Sequence, residues 1–292
     1  MTSLSSASDI NPAIAALMRA YSIEVTFPTP TEIEALREHL GPDSLVYVSA
    51  PPNHSRQELA QAIARVRSAG FEPVPHLAAR GFTGREELEE FIRTITGEAG
   101  VTRALTIAGD IDKPRGPFID ALALIESDVL QRHRLVEVGI SAYPDGHPKI
   151  ADDRLSAALK AKLDAAYARG LAVHIVTQFC FDAEKILEWL RRVRYARIDV
   201  PIRIGIAGPT TLRTLMRYAL KCGVRASLSG LTNPKAMQLF GEAAPDQLIA
   251  TLAQSIDRLK LDAALHLFSF GGAMHTAHWA NMMAAGKIKF EG

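Results

Sequence analysis

Residues 44–78 read SLVYVSAPPNHSRQELAQAIARVRSAGFEPVPHLA. The first seven, Ser44–Ala50, are an almost unbroken apolar run. Arg56–Ala69 is a longer amphipathic stretch that stops at Gly70, a residue type that commonly ends helices because it tolerates a left-handed backbone. Glu72–Ala78 is a second short apolar run. A strand that is apolar on both faces is buried on both faces, which is the condition of a parallel sheet covered by helices. The segment therefore reads as strand, helix, parallel strand.

The same rhythm runs outward in both directions. Strands are expected at Ser22–Pro28, Ser44–Ala50, Glu72–Ala78, Arg103–Gly109, Leu135–Tyr143, Val173–Phe181, Ile202–Gly208 and Ala264–Phe270. Helices are expected at Thr31–Leu40, with Thr31 as its cap, and at Arg56–Ala69, Gly84–Thr96, Phe118–Gln131, Asp153–Arg169, Asp182–Val193, Thr211–Cys222 and Gly272–Ala285. A further helix at about residues 12–21 precedes the first strand. Two extra helices, Asn233–Phe240 and Pro245–Leu259, fall before the eighth strand. Strict alternation means βαβ units with right-handed crossovers. Eight of them predict an α/β fold of the (β/α)8 TIM-barrel type. An open doubly wound sheet is the rival, but it usually carries a glycine-rich loop after the first strand. Here that loop is FPTPTEIE, without glycine.

Length and composition agree with one such unit. The chain has 292 residues, and a closed barrel takes about 250. No linker or composition shift divides it, so a single domain over residues 1–292 is expected. Apolar residues make up 48% of the chain, enough to build a core and to exclude a mainly disordered state. A formal charge of +1 argues against a strongly electrostatic nucleic-acid binder. There is no apolar run long enough for a membrane span. The N-terminus lacks the basic and apolar regions of a secretory signal. Two cysteines, Cys180 and Cys222, are too few for a disulfide framework, so a reduced, cytoplasmic setting is expected. The alanine-rich helices Ala157–Ala168 and Ala273–Ala285 offer faces for a homo-oligomer.

In a barrel of this kind the chemistry sits at the C-terminal ends of the strands. That rule selects Glu24, Ser49, His76, Asp110, the turn Tyr143–Pro148, Gln178 and Asp182, the loop after strand seven, and the FSFGG end of strand eight. Glu24 lies among apolar residues in IEVTF. A carboxylate there is costly unless it is functional or paired with a barrel cation. Asp110 is a functional acid or a loop cap. His76 is a functional or a satisfied core histidine. His174 shares strand parity with Gln178 but lies deeper, which reads as core-lining. Gln178 is a buried amide that needs partners, and a ligand is one source of them. The spacing shows no HExxH, CxxC or HxH metal motif, and no GxSxG nucleophile elbow. Cys180 has the parity that faces the helices, which is unfavourable for a nucleophile.

The words at these strand ends match a known family. IEVTFPTP at residues 23–30, PHLAAR at 75–80, IAGD at 107–110, AYPDGHP at 142–148 and VTQFCFD at 176–182 together resemble methylenetetrahydrofolate reductase in its short bacterial form. The likeness covers nearly the full chain. The last two words are the most specific. The resemblance implies reduction of 5,10-methylenetetrahydrofolate to 5-methyltetrahydrofolate, with hydride passing from NADH or NADPH through FAD. It gives Glu24 the part of general acid on the folate nitrogen, and Asp110 that of the carboxylate between flavin and pterin. Gln178 takes the amide that meets folate and nicotinamide, with Leu212 and Phe268 as further substrate-side positions. Ser49, His76, Ala108, Gly109, Asp110, Tyr143, His147 and Lys162 take flavin-side positions, Lys162 near the phosphates.

The chain also departs from the family pattern. Ala108 replaces the arginine of Leu-Arg-Gly-Asp. Leu155 and Ala158 stand near the places of an Asp and an Asn. Leu212 falls where a stacking Phe is usual, and strand eight ends without the family's arginine. These changes keep three alternatives in view: direct hydride transfer without flavin, a tetrahydrofolate-dependent methyl transfer or demethylation on the same barrel, and a non-catalytic folate-binding subunit.

Overall fold

A computed structural model describes residues 7–224 and 244–288. The eight expected strands are all present, as β1 Ser22–Thr26, β2 Leu45–Ser49, β3 Glu72–Ala78, β4 Arg103–Ile107, β5 Glu137–Ala142, β6 Ala172–Thr177, β7 Ile202–Ala207 and β8 Ala264–Phe268. They form a closed barrel in the order of the sequence. Neighbouring strands pair in parallel, for example with Glu24 opposite Tyr47 and Leu105 opposite Gly139. The chain is thus a (β/α)8 barrel.

Most strands end a residue or more before the extended segment does. After β1 this happens abruptly. Phe27 takes a left-handed backbone (φ 45°), and its N–H bonds the Ser49 carbonyl at 2.7 Å. A bulky residue in that region is strained and persists only when its surroundings hold it. The Phe27 ring is held by stacking on His54, with centroids 3.7 Å apart.

The helices form where local capping supports them. The helix after β1 spans Pro30–Leu36. Its cap is Thr29, earlier than the expected Thr31, because Thr29 and Glu32 close a reciprocal capping box with Pro30 in the first turn. Ser55 and Glu58 form the same box on Arg56–Ser68. The helix expected at Phe118–Gln131 is two short pieces, Ala121–Ile125 and Val129–Arg132. The first closes at Glu126 with a right-handed backbone, and Asp128, which caps the second, has φ 60°, so the two do not run on as one helix. Arg169 secures the break by donating to Asp128 and to the Glu126 carbonyl. The first helix spans Ala7–Met18, earlier than expected, with Pro12 inside it. The helices before and after β8 are Asp246–Leu259 and Ala273–Ala284. The helix expected at Asn233–Phe240 lies outside the described residues. No described helix is long and apolar enough to cross a membrane.

Contacts group the chain into two units. The first comprises Ser22–Ala142 and Asp152–Val176, with Tyr47, Val74, Leu105 and Val176 in its interior core. The second comprises the described parts of Met1–Tyr21, Tyr143–Ala151 and Thr177–Gly292. Its core sets Phe179, Phe181, Ala207 and Leu215 against Phe268 and Phe270.

Candidate active site

In the first unit, β1, β2 and β3 bring three of the expected residues together. Ser49 donates its hydroxyl to Glu24 Oε1 at 3.2 Å and lies 3.1 Å from the Thr26 hydroxyl. The other oxygen, Glu24 Oε2, faces His76 Nε2 at 3.6 Å. Only 15% of the Glu24 side chain and 10% of the His76 side chain reach solvent. Nε2 of His76 is buried without a hydrogen bond. An unsatisfied buried polar atom costs about 1–3 kcal/mol, so its retention asks for a reason.

A second polar chain lies deeper in the same unit. The Tyr47 hydroxyl is 2.8 Å from His174 Nε2, and His174 Nδ1 is 2.6 Å from Glu137 Oε1. Glu137 Oε2 lies 3.5 Å from Arg103. A carboxylate only accepts, so Nδ1 of His174 carries the proton shared with Glu137. The Tyr47 ring also meets the His76 ring edge-on, with centroids 6.2 Å apart. Glu24 and His76 come from odd strands, Tyr47 and His174 from even ones, the alternate-strand layering that fills such barrels. His174 is therefore core-lining as expected from its position. Its partners Tyr47 and Glu137 were not legible, because no local pattern links β2, β5 and β6.

At the end of β4, Gly109 has φ +92°, and a Cβ there would lie 3.0 Å from that of Ala78. Only glycine makes this turn readily. It delivers Asp110 to an exposed position. The Ala108 carbonyl accepts from the Arg80 N–H at 3.0 Å. The Arg80 guanidinium donates to the carbonyls of Ile119 and Ile111, so the PHLAAR arginine pins the loop that follows Asp110. Lys162 is buried, and its Nζ donates to the Ser141 carbonyl at 2.9 Å. Burial lowers its pKa to about 8, while Asp120 nearby pulls it upward. A buried ammonium with a backbone carbonyl for its hydrogen bond is suited to an added anion.

The second unit carries the remaining expected residues. Tyr143 and His147 meet edge-on in the turn after β5, with centroids 5.3 Å apart. His147 Nδ1 accepts the Lys149 N–H, while burial and then the Lys149 charge lower the pKa of its ring. Lys185 pairs with the nearly buried Asp145, anchoring that turn. Gln178 turns its side-chain oxygen back to accept the Phe179 N–H at 3.0 Å, which leaves its NH2 to donate outward. Phe268 packs with Phe179 and Phe270, and Phe270 stacks on Tyr218 with centroids 4.0 Å apart. Leu212 is exposed at the start of its helix. The Cys180 thiol is buried and pushed up to about 12, which keeps it un-ionised near neutral pH.

Residues 30–237 match the family model of methylenetetrahydrofolate reductase. This chain belongs to the methylenetetrahydrofolate reductase family. It is 31% identical to the 5,10-methylenetetrahydrofolate reductase of Salmonella typhimurium over 160 residues, 53% of this chain and 50% of that protein. The Escherichia coli 5,10-methylenetetrahydrofolate reductase is 30% identical over 163 residues, with the same shares. The chain spans about half the length of these curated relatives. Methylenetetrahydrofolate reductase 2 of Saccharomyces cerevisiae is 33% identical over 85 residues, 28% of this chain and 13% of that protein. Among solved structures, dihydropteroate synthase from Thermus thermophilus is similar in fold, with a TM-score of 0.50 at 17% identity. The likeness covers 92% of this chain and 94% of that one.

Within the methylenetetrahydrofolate reductase family match lie His76, Asp110, Tyr143, His147, Lys162, Gln178 and Leu212, while Glu24 and Phe268 lie outside residues 30–237. The position of Glu24 rests instead on its strand, its partial burial and its contact with two of the other expected residues.

Proposed function

We propose that this chain reduces 5,10-methylenetetrahydrofolate to 5-methyltetrahydrofolate with NADH or NADPH as the hydride source. The observation that carries the reading is the half-buried Glu24 carboxyl, held by Ser49 on one oxygen and facing His76 with the other. A protonated carboxyl in that position gives its proton to a folate nitrogen. The five-membered ring then opens to an iminium ion. The carboxylate of Asp110, on the rigid turn at Gly109, stabilises the positive charge that develops. Gln178 directs its free NH2 toward the carbonyl groups of folate and nicotinamide. Leu212 and Phe268 supply apolar contact on the substrate side.

FAD, when bound, supplies a two-electron carrier between nicotinamide and folate. The residues that would hold it are Ser49, His76, Ala108, Gly109, Asp110, Tyr143, His147 and Lys162. The buried Lys162 ammonium fits this use, since an anionic phosphate beside it would restore the charge that burial disfavours. A second reading is direct hydride transfer without flavin. It is favoured by Ala108, whose methyl group stands where the family pattern has an arginine. Either route places the protein in cytoplasmic one-carbon metabolism, supplying methyl groups toward methionine biosynthesis.

The test is NAD(P)H oxidation, followed by absorbance, in the presence of methylenetetrahydrofolate, with and without added FAD. Turnover is expected, and Glu24→Gln is expected to lower it about 10²-fold or more. Silence with both nicotinamides and with FAD would refute the reading. Turnover by protein that takes up no FAD would select the direct route.

A further inference from the structure

We propose that the ends of β7 and β8, with the first turn of the helix Ala273–Ala284, form an anion site for the diphosphate of the nicotinamide co-substrate. This rests on the reduction proposed above, which consumes such a dinucleotide. All the residues concerned belong to the second unit.

The cradle is built from backbone. Gly272 caps the helix with φ 107° and has no side chain to bond the first turn. The N–H groups of Ala273, Met274 and His275 are therefore donors without an intrahelical partner, at the end of the helix that carries partial positive charge. A Cβ on Gly272 would meet nothing within 4 Å, so the cap borders open space. Gly271, Gly272, Met274 and His275 are exposed to solvent. Glycine also lets the two loops close on each other. A Cβ on Gly271 would collide with the Pro209 carbonyl, and one on Gly208 would lie 2.6 Å from Thr276 Cγ2 and 2.7 Å from its Oγ1.

Thr276 is the independent sign of a ligand. Its side chain is fully buried, and its hydroxyl has no hydrogen-bond partner among the described residues. Side chains on a helix lean toward its N-terminus, so this one, at the fourth helical position, leans toward the first turn and sets Oγ1 beside Gly208. An unsatisfied buried hydroxyl is costly, and an anion oxygen seated on that turn would accept its proton. The charge around it agrees. Residues 201–224, with β7 and the helix that follows, hold four cations and no acid, and residues 264–284 hold no acid. Asp246 meets this helix at Trp279, further along it.

The reach fits a dinucleotide. Gly205 on β7 packs against Gln178 and Phe268, the groups placed above at nicotinamide and substrate. Gly208 lies three residues further on, roughly 10 Å at the rise of a strand. The ribose between a nicotinamide ring and its diphosphate covers a span of that order. Barrels of this class commonly bind phosphate at the loops after strands seven and eight.

The variant is Thr276→Val, which keeps the shape and removes the hydroxyl, with Thr276→Ser as the hydroxyl-bearing control. Affinities are read without turnover, by the fluorescence of NADH or NADPH and of reduced nicotinamide riboside, the same ring without phosphate. Thr276→Val is expected to weaken the dinucleotide about 10-fold, the weight of one hydrogen bond to a charged group, and to leave the riboside unchanged. Thr276→Ser should bind like wild type, and inorganic pyrophosphate should displace the dinucleotide. Unchanged dinucleotide affinity in Thr276→Val, or an equal loss for the riboside, would overturn the proposal. So would a loss of 5-methyltetrahydrofolate affinity in its place, which would give the site to the folate carboxylates. Without ligand, Thr276→Val should melt no lower than wild type. A lower melting temperature would show that the hydroxyl is satisfied inside the fold, and would also overturn the proposal. Wild-type protein that binds the dinucleotide here but never oxidises it with methylenetetrahydrofolate would overturn the reductase reading and leave the site standing.

Discussion

Tyr47 on β2 and His174 on β6 are joined inside the barrel by a hydrogen bond of 2.8 Å, and His174 passes the link on to Glu137 at 2.6 Å. All three side chains belong to one unit, whose interior is otherwise packed with Val74, Leu105 and Val176. The link sets the tautomer of His174 and the angle of the Tyr47 ring, and that ring borders His76.

Tyr47→Phe keeps the ring and removes the hydroxyl that faces Nε2. Loss of one buried hydrogen bond costs about 1–2 kcal/mol. Denaturant unfolding should show that loss with an unchanged slope, and His174→Ala should cost more because it also empties volume. Equal stability of wild type and Tyr47→Phe would show that the hydroxyl contributes nothing to folding.

Gly139 on β5 makes room for the imidazole. A Cβ there would lie 2.5 Å from His174 Nε2 and 2.9 Å from Leu105. Neither neighbour can retreat easily, since one is tied to Glu137 and the other is core. Gly139→Ala should therefore destabilise by about 1–3 kcal/mol, as overpacking does. The melting temperature checks it. A gain, as expected where glycine merely adds chain entropy to the unfolded state, would contradict this account.

Lys162 gives the stability a pH dependence. Its pKa is about 8 in the fold against 10.5 for the free side chain. Below pH 8 both states hold the proton. Between the two values the unfolded chain holds a proton that the folded chain has released, so raising the pH favours the fold. From pH 7 to 9.5 the gain from this residue is about 2 kcal/mol. Lys162→Met should remove that rise. Denaturation curves at the two pH values measure it, and equal pH dependence in both proteins would discard the idea.

The barrel was legible because its signal is local and repeated. Eight apolar runs alternate with amphipathic segments, and burial on both faces writes itself into each run separately. The elements that differ from the sequence expectation are governed by distant partners or by side-chain geometry. Thr29 rather than Thr31 caps its helix, although both are threonines, since the choice depends on where Glu32 folds back. The break at Asp128 depends on Arg169, 41 residues away.

The chain order of strands and helices, the residues at the strand ends, and the family words were all present in the linear sequence. Glu24 stood out there because a carboxylate amid apolar neighbours is costly. What needed the tertiary structure was the pairing: Ser49 and His76 on Glu24, Tyr47 and Glu137 on His174, Ser141 on Lys162. Hydrogen bonds and ion pairs act over about 3–4 Å, and such closeness between separate strands is set only when the barrel closes. The sequence carries the inventory of polar groups. The fold decides which of them meet.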